Sequence, residues 1–146
     1  PPRRLPLRPN RRSATPADQS SRLRRLRVLV VEDDPDARPL IVGIPTDAGT
    51  DAAEAPTAEI ALEMIAEQAP DILVSDIGMA QLDGYQMLRK LRTSGYDDRR
   101  LPAIALTAFS RSQDREDALA AGYQTHLAKP VRAQALISAV ANLARK

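Results

Sequence analysis

Four short apolar runs in this chain each end in residues able to do chemistry. Val28-Leu29-Val30-Val31 is followed by Glu32, Asp33 and Asp34, and Ile72-Leu73-Val74 by Ser75 and Asp76. Ala103-Ile104-Ala105-Leu106 is followed by Thr107 and Ala108, and the weaker Thr125-His126-Leu127-Ala128 by Lys129 and Pro130. Brought together, these supply carboxylates, a hydroxyl and an ammonium. Clustered carboxylates repel one another, and a bound Mg²⁺ relieves that repulsion. Mg²⁺ favours few carboxylates, several waters and a phosphate oxygen. A carboxylate also serves as a nucleophile toward a phosphoryl group, giving an aspartyl phosphate. Such a transfer needs positioning and charge neutralisation more than covalent help. Lys129 offers the positive charge and Thr107 a hydroxyl donor.

The elements that must position these residues follow from the same runs. Continuous β-branched runs of this length suit strands buried on both faces of a parallel sheet. Helical stretches lie between them. Over residues 57–68, Ala58, Ala61, Leu62, Ile65 and Ala66 form a helical stripe, with Thr57 placed as N-cap. Residues 84–93 set Leu88 and Leu91 on one face, residues 111–121 form an alanine-rich helix stopped by Gly122, and residues 131–145 align Leu136, Val140 and Leu143. The alternation predicts an α/β fold with a parallel sheet covered on both faces. In such sheets ligands sit beyond the carboxyl ends of the strands, where all four polar groups fall. Residues 35–55 fit less well. Pro39, Gly43 and Pro45 interrupt the expected first helix, and Asp51-Ala52-Ala53-Glu54-Ala55 is a feeble strand. A shortened or kinked helix and a marginal edge strand are expected there.

Each residue alone has an ordinary reading. Asp33 or Asp34 caps a helix with Pro35 at its first position, Asp76 is a turn residue, Thr107 a strand-end hydroxyl and Lys129 an exposed lysine. Together these readings require the right group to arise by chance at four strand ends. His126, the single histidine, lies within a strand and reads as structural.

Composition bounds the rest. The 146 residues suit one domain. The absence of cysteine excludes disulfides and thiolate metal sites and fits a reducing, cytoplasmic setting. No apolar run approaches the roughly 20 residues of a membrane span. Residues 1–27 hold nine arginines and one acid, whereas the remaining 119 hold 12 Lys and Arg against 18 Asp and Glu. Residues 1–26, with five prolines and little apolar surface, read as a flexible basic linker, and 27–146 as the domain. No aromatic interleaves the arginines, as a nucleic-acid stacking platform would require, and the domain itself is not expected to bind nucleic acid. Opening on Pro1 rather than Met, the chain reads as an excerpt or a processed product.

As a set, Val30-Val31-Glu32-Asp33-Asp34, Leu73-Val74-Ser75-Asp76-Ile77-Gly78-Met79, Leu82-Asp83-Gly84, Leu106-Thr107-Ala108-Phe109, Ala121-Gly122-Tyr123 and Leu127-Ala128-Lys129-Pro130 resemble the signature blocks of response-regulator receiver domains. The resemblance covers about residues 27–144. It implies a flavodoxin-like (βα)5 doubly wound sheet with strand order 2-1-3-4-5. It implies that Asp76 accepts a phosphoryl group from a histidine kinase or a histidine phosphotransfer protein. Glu32 and Asp33 match the acidic pair that holds Mg²⁺, with Asp33 the direct ligand and Glu32 acting through water, and the Gly78 carbonyl matches the position that completes the metal shell. Thr107 and Lys129 match the phosphate-contacting hydroxyl and lysine. Phe109 matches the aromatic switch, Ala108 leaves access to the site, and Lys129-Pro130 matches a cis peptide bond. Activation would alter the face of the fourth helix, fifth strand and fifth helix for a downstream protein. Such a domain is a phosphorylation switch with slow autodephosphorylation, not a classical enzyme. Leu5-Pro6-Leu7 is similar to the last strand of a histidine-kinase ATP-binding domain, so the parent is either a hybrid sensor kinase or a stand-alone regulator.

Three departures stand out. Ala80 replaces a usual proline, and Arg132 stands at a helix start where an acid is common. The irregular 35–55 stretch bears on the surface where a histidine-bearing partner docks. The alternative is a degenerate, non-phosphorylated interaction module, which the full set of five polar residues argues against. An aspartyl phosphatase usually carries a second acid two residues after its nucleophile, where this chain has Gly78. A nucleotide-binding domain lacks its glycine-rich motif here.

Overall fold

The computed structural model describes residues 23–79, 83–108 and 112–144. Leu5-Pro6-Leu7, Ala80 and Phe109 lie outside the described residues.

Five strands form one parallel sheet: β1 (Arg27–Val31), β2 (Asp51–Ala55), β3 (Ile72–Asp76), β4 (Ala103–Thr107) and β5 (Thr125–Ala128). They alternate with α1 (Ala37–Asp47), α2 (Ala58–Glu67), α3 (Gly84–Thr93), α4 (Ser112–Ala121) and α5 (Ala133–Leu143). The strand order is β2-β1-β3-β4-β5. This is the doubly wound order implied by the resemblance.

The two-residue period of a strand sends alternate side chains to opposite faces. Leu29, Val31, Leu73, Ala103 and Ala105 pack with Ile65, Met87, Leu88, Leu91 and Ala118 from α2, α3 and α4. Val28, Val30, Ile72, Val74, Ile104 and Leu106 pack with Ile41, Leu136 and Val140 from α1 and α5. Every residue of β3 and β4 is buried, so these two strands are the rigid centre.

The 35–55 stretch corrects one expectation. The first helix is not shortened: α1 has 11 residues, as many as α5. Pro39 lies in its first turn, where a backbone N–H has no helical partner to lose. Pro45 lies in the last turn, so it removes a single helical bond, the one to the Ile41 carbonyl, and the helix closes beyond it. There Thr50 donates to the Pro45 carbonyl from both its N–H, at 3.1 Å, and its hydroxyl, at 2.8 Å. The helix starts at Ala37, not at Pro35, and Asp34 serves its entry by accepting from Asp36 N–H at 2.9 Å. The weak segment forms an edge strand at Asp51–Ala55, paired with all of β1. Upstream, Leu23 belongs to the core at 1% exposure, so packing begins before the sequence boundary at residue 26.

Candidate functional site

The chain leaves β1 toward β2 on one side and β3 toward β4 on the other. The loops after β1 and β3 therefore diverge, and a crevice opens at the carboxyl end of the sheet. Glu32 and Asp33 follow β1 directly, and Asp76 is the last residue of β3. One oxygen from each of Glu32, Asp33 and Asp76 lies within 4.8 Å of the others. Glu32 and Asp76 are buried, and Asp33 is the more open of the three.

Lys129 enters this cluster from beyond β5. Its N–H donates to the Thr107 carbonyl at 2.8 Å, placing it beside the end of β4. Its ammonium stands 2.8 Å from Glu32 Oε1 and donates to Asp76 Oδ1 at 3.2 Å. The Lys129-Pro130 peptide is cis. Burial alone would lower the lysine's pKa, but its contact with Glu32 and the charge of Asp76 outweigh it and raise the pKa. Burial is the main cause that raises the Glu32 carboxyl above its usual 4.5, opposed by Lys129 and assisted by the charge of Asp76.

Glu32 is oriented by the Asp34 N–H, which donates to Oε2 at 3.2 Å. The other oxygen, Oε1, is buried and pairs with the Lys129 ammonium at 2.8 Å. Three carboxylates gathered within 4.8 Å against a single ammonium are an all-oxygen donor set that fits a hard cation. Gly78 lies in an exposed bend two residues past Asp76. Thr107 is buried at the end of β4, and Ala108 is exposed beside it.

The start of α3 packs against the end of β3. Asp83 caps the helix by accepting from Gln86 N–H at 2.9 Å, while Gln86 Oε1 accepts from Asp83 N–H at 3.1 Å. The sequence carries this box as Asp-x-x-Gln. Gly84 packs on the Asp76 backbone and donates to the Ile77 carbonyl at 3.1 Å. Its own carbonyl accepts from the Tyr123 hydroxyl at 2.8 Å, and burial raises the pKa of that phenol.

A family model described as the response regulator receiver domain matches residues 28–141. The chain belongs to that family. This receiver is 40% identical over 118 residues to an uncharacterized 14.6 kDa protein of Leptolyngbya boryana, across 81% of this chain and 89% of that protein. It is 36% identical over 121 residues to the response regulator MprA of Mycobacterium ulcerans, covering 83% of this chain but 51% of the relative. The receiver thus spans about half the length of that relative. Among solved structures, the receiver domain of the Francisella response regulator 1452 superposes with a TM-score of 0.76 at 29% identity, over 82% of this chain and 97% of that one. No helix among the described residues is long and apolar enough to cross a membrane.

The structure brings Glu32, Asp33, Asp76, Thr107 and Lys129 to one end of the sheet. A cavity of about 420 Å³ adjoins them, lined by Asp34, Leu40, Ile41, Ala108, Lys129 and Pro130 among others. This wall of α1 is not legible in the sequence, because Pro39, Gly43 and Pro45 interrupt the periodicity around Leu40 and Ile41.

Proposed function

We propose that this receiver accepts a phosphoryl group on Asp76 from a phosphohistidine of a histidine kinase or histidine phosphotransfer protein, in a Mg²⁺-dependent step. The observation that carries the reading is Lys129, whose ammonium reaches the carboxylates of both Glu32 and Asp76. An oxygen of Asp76 attacks phosphorus as the phosphorus–nitrogen bond breaks, and the released imidazole keeps the bonding pair and takes a proton. Asp33, Asp76 and the Gly78 carbonyl would hold the metal, with Glu32 assisting through water. When bound, Mg²⁺ neutralises charge on the phosphoryl oxygens.

Lys129 then exchanges a carboxylate partner for a phosphoryl oxygen, and the Thr107 hydroxyl donates to another. These new contacts favour one of two conformations and change the face of α4, β5 and α5 for a downstream protein. Phe109 is assigned here as the aromatic switch residue. Ala108, small and exposed, leaves room for the donor. The partner's histidine approaches over α1, where Leu40 is 74% exposed at the edge of the adjoining cavity. The basic segment that precedes Leu23 serves as a linker, and the switch works in the cytoplasm, where such kinases present their phosphohistidine.

The test is intact-mass measurement after incubation with phosphoramidate, with and without Mg²⁺, beside Asp76→Asn. A Mg²⁺-dependent gain of one phosphoryl group, absent in the variant, is expected. No gain in folded protein overturns the reading in favour of a non-phosphorylated interaction module.

A further inference from the structure

We infer that Arg38, paired with Glu54, is a positioning residue for the acidic metal cluster and sets its affinity for Mg²⁺; this rests on the phosphoacceptor reading. The loop from Glu32 to Arg38 carries two of the three clustered acids. Its closure depends on Arg38. The guanidinium Nη1 donates to the Glu32 carbonyl at 3.1 Å, and Nε pairs with Glu54 at 2.9 Å. The Arg38 N–H donates to the Asp34 carbonyl at 2.9 Å, so main chain and side chain both reach back into the loop. On its other side Glu32 donates its N–H to Ala55 at 3.1 Å. Glu32 is thus gripped at both peptide groups, by Ala55 on β2 and by an arginine anchored on the adjacent Glu54.

This gives the feeble edge strand a task. Glu54 neutralises the guanidinium, which would otherwise stand as an unpaired cation near a site built to attract one. Groups that hold metal-binding carboxylates in place commonly set metal affinity by about tenfold or more. Lysine does not reproduce the fork, because its donors leave a single atom, whereas Arg38 reaches its two acceptors from Nη1 and Nε of a planar guanidinium.

The experiment measures phosphoryl uptake from phosphoramidate as a function of Mg²⁺, with Mg²⁺ binding followed in parallel by titration calorimetry. For Arg38→Ala the half-saturating Mg²⁺ concentration should rise by about tenfold, with the uptake rate at saturating Mg²⁺ retained. Arg38→Lys should not restore the affinity. Glu54→Gln should raise the half-saturating concentration by a smaller factor, and it decides the matter if Arg38→Ala does not fold. Unchanged Mg²⁺ affinity in folded variants overturns the inference, as does a fall in the saturated rate alone. Calorimetry reads the metal site even if the wild type takes no phosphoryl group, so failure of the transfer reading and failure of this inference are distinguishable.

Discussion

Gly84 lies so close to Asp76 that a β-carbon on it would stand 2.6 Å from the Asp76 carbonyl oxygen and 3.0 Å from Ile77 Cα. Both neighbours are backbone and cannot swing aside. Gly84→Ala should therefore destabilise the domain by about 1–3 kcal/mol, the range for overpacking a tight contact. Because the displaced backbone is that of the proposed acceptor, phosphoryl uptake should slow as well. Denaturant unfolding and uptake by intact mass check the two effects.

The electrostatics of Glu32 give a pH signature. Its carboxyl has a raised pKa in the folded protein, chiefly through burial. The folded state therefore holds that proton more tightly than the unfolded chain. Stability from this group is complete below the ordinary value of 4.5 and is lost as pH rises through the raised value. In the absence of metal, Glu32→Gln should be more stable than the wild type at neutral pH, and the gap should close below about pH 4.5. Unfolding midpoints across that range, without Mg²⁺, measure it. Equal slopes for both proteins would contradict the assignment.

Leu40, on the proposed docking face, offers a test that separates partner recognition from chemistry. It is 74% exposed on α1, beside the cavity that adjoins Lys129. Leu40→Asp should slow phosphotransfer from a cognate histidine-bearing protein by about tenfold, the effect of losing one apolar anchor worth about 1.4 kcal/mol. Uptake from phosphoramidate should be unchanged. Parallel rate measurements with the two donors check the split.

Arg92 predicts a loss of stability distant from the site. Its guanidinium donates to the carbonyls of Tyr96 at 2.9 Å, Leu101 at 2.8 Å and Gly122 at 2.6 Å. These bonds join the end of α3, the approach to β4 and the turn before β5. Arg92→Met keeps much of the stem but removes all these donors, and should cost about 2 kcal/mol or more. Chemical denaturation reads the loss, and Mg²⁺ affinity should hold, since none of these carbonyls touches the acidic cluster.

The apolar runs announced their strands because strands buried on both faces need no polar alternation, and β1, β3 and β4 lie where those runs stand. The polar ends of the runs were legible for the same reason: a parallel sheet gathers them at one edge. Arg38 and Arg92 were not legible. An arginine in a first or last helical turn has many uses, and only the folded chain shows which carbonyls it meets. Leu23 was missed because one leucine among arginines carries no periodicity, although it covers the core near Pro45, Leu136 and Val140. The prolines of α1 were over-weighted, because their cost depends on position within a helix and both occupy end turns.

The double bond from Thr50 to the Pro45 carbonyl has a kinetic consequence. It ties the last turn of α1 to the start of β2 through one acceptor. If α1 is the docking face proposed above, the surface that carries Leu40 is held before a partner arrives and needs little ordering on binding. Recognition on such a surface resembles rigid docking. Substitutions on it should leave association rates within about one to three decades, and discrimination among histidine-bearing proteins should be expressed in how quickly the wrong ones depart.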